Sequence, residues 1–343
     1  MPIHRMCQRQ LFCFWTLWND MPEKATLAQL EMAQGVVYEY LKPTPEICWP
    51  LLSHRCGCEV WVKHENHTSI GAFKVRGGLN YLNDFCKNNT PVSGIISATR
   101  GNHGLSLAFA CAQKGIPLTI IVPIGNNPEK NQSMKALGAE LLVFGHDFQE
   151  ARERAEVISA DKGLHLIGAF HPLLMRGVGT YAMEFFSQVS DLDKVYVPIG
   201  QGSGICGTIS ARDALGLTTK IVGVVAENAA CYALSFEQKT SVSTETADTI
   251  ADGLACRIPD QAALEIILQG ADNVVTVSDQ EIRCAMKYYY TDTHNVAEGA
   301  AAAPLAALLK EREQLSGKPG KKVGLVHSGG NADTKLLISV LED

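Results

Sequence analysis

The sequence predicts an α/β protein with two domains, each a mostly parallel twisted sheet flanked by helices. Three observations predict it. Strand-like apolar runs alternate with single helix-like runs over residues 94–168 and again over 194–327, and such alternation makes parallel sheets with right-handed crossovers. The helix-like runs carry residues suited to their starts and stops. Small or glycine-rich loops follow several strands, at the end of a parallel sheet where ligands bind.

In the first series the strands fall at 94–98, 118–122, 140–144 and 165–168. The intervening helices end at Gly115, Gly138 and Gly163, each suited to a left-handed C-cap. Asn127-Pro128-Glu129 supplies an N-cap, a proline at the first helical position and an early acid. Asp147 with Glu150 resembles a capping box. The second series starts with a strand at 194–199, then a helix to Gly216 and a strand at 221–226. A strand at 273–277 precedes a helix capped by Ser278 with Glu281. An alanine-rich helix from about Ala297 and a last strand at 322–327 follow. Val60-Trp61-Val62 reads as a further strand of the second sheet. The division is a large domain of 21–92 with 172–343 and a small domain of 93–171. Residues 1–20 read as a disordered extension. Their apolar stretch at 11–15 follows Arg5 and Arg9, but no small-residue cleavage site marks a signal peptide.

The chain has 343 residues, 46% hydrophobic and 19% charged, with a formal net charge of −6. That charge argues against nucleic acid or an anionic membrane as a partner. No apolar run approaches the ~18 residues of a membrane-spanning helix. The eleven cysteines are scattered and odd in number, which suits reduced thiols and a cytoplasmic location. Cys56-Gly57-Cys58 is the only tight pair; without a second pair it reads as structural, and no metal site is expected.

Three loops after strands draw attention: 97–104 (SATRGNHG), 200–207 (GQGSGICG) and 328–331 (SGGN). The second follows a strand and opens a helix, so its backbone N–H groups suit a phosphate. Gly202 to Gly207 also fits G-x-G-x-x-G, and Glu227 ends the next strand. A nicotinamide-dependent dehydrogenase is therefore one reading, and a tight strand-to-helix turn is another. Lys74, within SIGAFKVRGG, stands among small residues, although a single lysine is ordinarily a solvated charge.

The stretch HTSIGAFKVRGG (67–78) resembles the lysine motif of the fold type II pyridoxal-phosphate enzymes, in the serine/threonine dehydratase group. The resemblance continues through Pro43-Thr44-Pro45, Gly101-Asn102-His103-Gly104, residues 127–131, the glycine loop, 249–253 (TIADG), Glu298-Gly299-Ala300 and 328–331, in the family's order. It implies the fold type II architecture, a large cofactor-binding domain and a small domain holding the substrate carboxylate. It implies that Lys74 holds pyridoxal 5'-phosphate as a Schiff base, with a lowered pKa serving as nucleophile and base. Phe73 would lie against the cofactor ring, and Asn102 would bond its hydroxyl oxygen. Gly200, Gln201, Gly202, Ser203 and Gly204 would cradle the phosphate. Gly253 and Glu298 would complete the cofactor site, and Ser328 would face the pyridine nitrogen. Thr99, Arg100, Gly101, Asn102 and His103 would form the substrate-carboxylate turn. The implied activity is an ammonia-lyase that removes the β-hydroxyl of L-threonine or L-serine, giving a 2-keto acid and ammonia. The implied assembly is a homodimer.

Three departures qualify the resemblance. Several relatives have serine at Arg100, and in those that racemise this serine donates a proton. Arginine keeps its proton at neutral pH, so racemisation by that route is not expected. Val225 stands where some relatives place a cation-binding glutamate, and valine cannot ligate a hard cation. The chain ends soon after the last motif, so the regulatory domain of biosynthetic threonine dehydratases is not expected. Arg100 also raises an alternative substrate. Beside a turn that holds one carboxylate, it could pair with a second, which makes 3-hydroxyaspartate, yielding oxaloacetate and ammonia, the alternative.

Overall fold

The computed structural model describes residues 23–88, 92–315 and 321–343. The expected extension over 1–20 lies outside these residues.

The chain opens with α1 (Leu27–Tyr38), β1 (Glu46–Cys48), α2 (Pro50–Cys56), β2 (Glu59–His64) and α3 (Lys74–Asn88). The alternating region follows: β3 (Ile95–Ala98), α4 (Asn102–Lys114), β4 (Leu118–Val122), α5 (Pro128–Ala136), β5 (Glu140–Val143), α6 (Phe148–Lys162), β6 (His165–Leu166) and α7 (Pro172–Gln188). Then come β7 (Lys194–Pro198), α8 (Ser203–Ala214), β8 (Lys220–Ala226), α9 (Cys231–Gln238), α10 (Gln261–Gly270) and β9 (Asn273–Val277). The chain closes with α11 (Asp279–Thr293), α12 (Gly299–Leu315), β10 (Lys322–His327) and α13 (Thr334–Glu342).

Local chemistry sets most boundaries. Gly115 and Gly163 adopt the left-handed conformation that ends α4 and α6. The side chain of Asn127 accepts the Lys130 N–H at 2.9 Å and starts α5. Ser278 and Glu281 form a full capping box on α11. Asp147 caps α6 by accepting from Glu150 N, but the expected reciprocal bond is displaced by one residue. Glu150 accepts from His146 N, at 2.9 Å, rather than from Asp147 N.

The strands form a six-stranded sheet, β1-β2-β10-β7-β8-β9, and a four-stranded sheet, β5-β4-β3-β6. Every pairing is parallel except β1 with β2. β2 pairs β10 along its whole length, from Glu59↔Lys322 to His64↔His327. The central strands β7 and β8 are apolar and buried, as a parallel sheet covered on both faces requires. Val225 is one of those core residues. Cys56 and Cys58 flank Gly57, the left-handed cap of α2. Burial pushes the two thiols up, to about 12 and about 11.

Helices α3, α4, α7 and α8 pack between the sheets through glycines. A Cβ on Gly177 of α7 would lie 2.3 Å from the Arg76 carbonyl oxygen, and one on Gly207 of α8 would lie 2.8 Å from Gly179 N. Helix propensity alone says Gly177→Ala stabilises by about 1 kcal/mol. The backbone contact says otherwise, and we expect a net loss of about 1–3 kcal/mol from overpacking. The urea midpoint of the variant decides the sign.

A buried charge cluster holds α3 and α7 to β2. Arg76, two residues into α3, is fully buried. It donates to Glu65 at 2.7 and 2.9 Å and to Glu184 of α7 at 2.7 and 2.9 Å. Lys63 Nζ donates to Thr44 O at 2.8 Å, to Glu184 at 2.6 Å and to Glu46. Thr44, from the Pro-Thr-Pro segment, donates to Glu65 at 2.6 Å. This cluster fixes the start of α3, and with it Lys74.

Candidate active site

Lys74 is the first residue of α3, and the chain before it is shaped to deliver it. Gly71 turns at φ +70° because a Cβ there would meet Asn331 Oδ1 at 2.6 Å. Ala72 bridges Gly329, and Phe73 N donates to Ser328 O at 3.0 Å. The lysine segment is thus stitched to the loop after β10. Ser106 of α4 accepts Gly78 N and donates to Lys74 O at 2.5 Å, which ties the lysine to the other sheet's first helix.

Lys74 Nζ donates to Ser203 Oγ at 2.7 Å and lies 4.9 Å from the centre of the Phe73 ring. Burial pulls its pKa down to about 8. The folded chain therefore releases this proton from about pH 8, where the unfolded chain keeps it to its ordinary value of 10.5. The Lys74 contribution to stability rises with pH across that window. We expect labelling of Lys74 by an amine-reactive reagent, in cofactor-free protein, to rise with a midpoint near pH 8. A midpoint at the ordinary lysine value would contradict the burial.

Facing the lysine is the start of α8. Its N-cap is Gly202, at φ +95°, and no side chain caps it. The first-turn N–H groups are therefore free for an anion, with the helix dipole behind them. Gly200 must be glycine because a Cβ would sit 2.2 Å from Gly253 O. Gln201 donates to Cys256 Sγ at 3.0 Å, which orients the loop.

One pocket, on the carboxyl side of both sheets, brings together every expected site residue. It is lined by Phe73, Lys74, Thr99, Arg100, Gly101, Asn102, His103, the 200–204 loop, Gly253, Glu298 and Ser328. Thr99 Oγ1 accepts from Gly101 N and Gly104 N and shapes the turn that opens α4. The Asn102 amide is held at both ends. Its Nδ2 donates to Glu298 Oε1 at 2.5 Å, and its Oδ1 accepts from Asn331 Nδ2 at 2.9 Å. His103 is buried; desolvation, then the nearby Lys74 charge, pulls it down to about 3. It is a neutral wall rather than a base.

Two charged lining residues have no role assigned by the sequence, although their segments, 127–131 and 249–253, belong to the resemblance: Lys130 and Asp252. Lys130 Nζ pairs with Glu298 at 3.0 Å and with Asp252 at 3.7 Å. Asp252 also pairs with Arg100 Nη2 at 3.3 Å. Lys130, in the first turn of α5, is buried. Its stem lies against Gly101, where a Cβ would meet Lys130 Cδ at 2.3 Å. Arg100 thus lines the pocket and meets a neighbouring acid there.

A part-buried amine with a lowered pKa, opposite an uncapped helix start on the carboxyl side of parallel strands, defines an α/β enzyme for a phosphate-bearing carbonyl cofactor. The chain belongs to the pyridoxal-phosphate dependent enzyme family, whose sequence profile it matches over residues 37–329. It is 31% identical over 317 residues to the L-threonine ammonia-lyase of Thermotoga maritima, covering 92% of this chain and 78% of that one. It is 31% identical over 315 residues to the L-threo-3-hydroxyaspartate ammonia-lyase of Saccharomyces cerevisiae, covering 91% and 95%. The fold is similar to the processed threonine deaminase isoform 2 from Solanum lycopersicum, with a TM-score of 0.83, 28% identity, and 93% and 94% of the chains covered.

The family match overturns the nicotinamide reading, and the geometry gives the reason. The last glycine of the G-x-G-x-x-G match, Gly207, serves helix packing against Gly179. Glu227 sits in a short 3-10 turn and does not line the pocket of the glycine loop. The donor set fits pyridoxal phosphate instead. It offers an amine for the aldehyde, free N–H groups for the phosphate and a neutral Ser328 hydroxyl for the ring nitrogen.

Proposed function

We propose that this protein is an ammonia-lyase that removes the β-hydroxyl of a β-hydroxy amino acid, with L-threonine or L-serine as substrate. The observation that carries the reading is the placement of Lys74. Its partly neutral amine stands between the start of α8 and the Thr99–His103 turn. Bound to Lys74, pyridoxal phosphate supplies an electron sink for bonds to the substrate Cα. The N–H groups of Gly202, Ser203 and Gly204 would hold its phosphate, and Ser328 would leave the ring nitrogen without a charged partner. The Thr99–His103 turn holds the substrate carboxylate. Lys74, released as a free amine in the pocket, would act as the base that takes the α-proton. The Cα–H and Cβ–O bonds would break, the proton taken by Lys74 balancing the one the hydroxyl needs to leave as water, and the released enamine would hydrolyse to a 2-keto acid and ammonia. His103, held neutral by burial, supports the turn.

The position of Arg100 in the pocket favours a second substrate, 3-hydroxyaspartate, giving oxaloacetate. Residues 93–171 serve as the small, substrate-carboxylate part and 21–92 with 172–343 as the cofactor-binding part. The same reading includes a homodimer and a cytoplasmic location. Among the described residues no helix is long and apolar enough to cross a membrane. The test is a screen of L-threonine, L-serine and both diastereomers of 3-hydroxyaspartate with keto-acid detection. Equal amounts of keto acid and ammonia are expected, and no keto acid from any of them would refute the activity.

A further inference from the structure

The pocket that holds Lys74 carries more charge than the lyase reading uses. Arg100 and Lys130 both line the pocket, and Asp252 stands between them. Its contacts are loose: 3.3 Å to Arg100 Nη2 and 3.7 Å to Lys130 Nζ, against 3.0 Å for the neighbouring Lys130–Glu298 pair. Arg100 meets it through one guanidinium nitrogen, while its Nε is buried with no hydrogen-bond partner. An arginine fork prefers to grip a carboxylate at two points, and a buried donor left unpaired is costly. Asp252 is held by the backbone of its 3-10 turn, Asp252–Leu254. A carboxylate free of that tether could take both nitrogens.

We infer that Asp252 keeps, in the free protein, the place of a second substrate carboxylate, and that Arg100 and Lys130 receive this carboxylate when a dicarboxylic β-hydroxy amino acid binds. The inference deepens the lyase reading and rests on the same pocket. Lys130 is then a substrate-binding residue, held by Glu298 while Asp252 yields. Glu298 in turn fixes Asn102, so the distal carboxylate is registered to the turn that holds the other carboxylate. L-Threonine has a methyl group where the second carboxylate would sit and leaves the Arg100–Asp252 pair in place.

Two measurements on the holoenzyme decide it. The first compares kcat/KM for 3-hydroxyaspartate and L-threonine in the natural protein, in Arg100→Ser and Lys130→Met, and, as a control for folding, in Asp252→Asn. The diacid is expected to be preferred. The preference should fall by about 30-fold or more in the Arg100 and Lys130 variants, as when one partner of a buried charge pair is removed. The second titrates succinate, an unreactive dicarboxylate, by calorimetry. Succinate should bind the natural protein, bind Asp252→Asn about tenfold more tightly, and bind Arg100→Ser weakly. Tighter binding in Asp252→Asn alone does not suffice, since an acid that merely repels diacids gives that too; the diacid preference of the natural protein must accompany it. Turnover of threonine without preference for the diacid overturns the inference and leaves the lyase reading standing. Succinate binding that depends on Arg100, without keto acid from any substrate, supports the carboxylate seat and refutes the lyase reading. Equal loss of both substrates in Asp252→Asn makes Asp252 a structural tether and overturns the inference.

Discussion

Lys74→Ala is expected to lower the rate of keto-acid formation by about 10⁴-fold, the upper end for removal of a general base. The amine has two tasks, holding the cofactor and moving the α-proton, and alanine can do neither. Packing is little affected. The lysine's polar contact among the described residues is one hydrogen bond to Ser203, and its burial costs the charged form rather than stabilising the fold. The unfolding midpoint of the variant should therefore stay close to that of the natural chain while activity disappears. An added primary amine should restore part of the rate, because it replaces the missing base. Retained activity in Lys74→Ala would move the chemistry to another residue.

The second large effect is on stability. Arg76→Met should destabilise the protein by about 3–5 kcal/mol. The methionine fills most of the arginine's volume, so the loss is electrostatic. Glu65 is fully buried, and without Arg76 it keeps only the Thr44 hydroxyl as donor. Glu184 keeps Lys63, Tyr38 and the Thr44 N–H. Lys63, the remaining cation, pairs with Glu184 and Glu46 and leaves the Glu65 carboxylate without an ionic partner. Burial pushes the Glu184 carboxyl up, but Arg76 and Lys63 outweigh it and hold it below its ordinary value of 4.5. Its contribution is complete above pH 4.5 and is lost as pH falls through the lowered folded value. The variant should therefore lose part of the acid dependence seen in the natural chain. Urea unfolding at neutral and acid pH measures both. A loss of under 1 kcal/mol would mean that the cluster is not what anchors α3.

Much of the fold was legible because local rules agree with one another. The strands at 118–122, 273–277 and 322–327 begin and end where the apolar runs do. Gly115, Gly163, Asn127 and Ser278 mark helix ends by chemistry that acts within one turn. The first fifty described residues were less legible. Strand β1 is three residues long with no clear alternation, and it pairs antiparallel to β2 at the sheet's edge. Helix α1 begins with a capping box of Thr26 and Gln29 that the reading passed over.

The site divides in the same way. Lys74, the 200–204 loop and the Thr99–His103 turn carry their signals in contiguous stretches, and one pocket gathers them. Lys130 and Asp252 lie in stretches of the resemblance, 127–131 and 249–253, but those stretches give them no role of their own. Each acquires meaning only when the 130 and 252 segments meet across the pocket, which depends on tertiary contact rather than on spacing. Arg76 lies inside the lysine motif, which gives it no role. Two residues beyond the lysine it resembles a surface charge, and only its burial among Glu65, Glu184 and Lys63 reveals a structural role.

The most direct test of the central claim is chemical. The purified protein, loaded with pyridoxal phosphate, is reduced with borohydride, digested and mapped by mass spectrometry. A phosphopyridoxyl group on Lys74 is the result the pocket predicts. A label on another lysine, or no label on a protein that still consumes hydroxy amino acids, would contradict it.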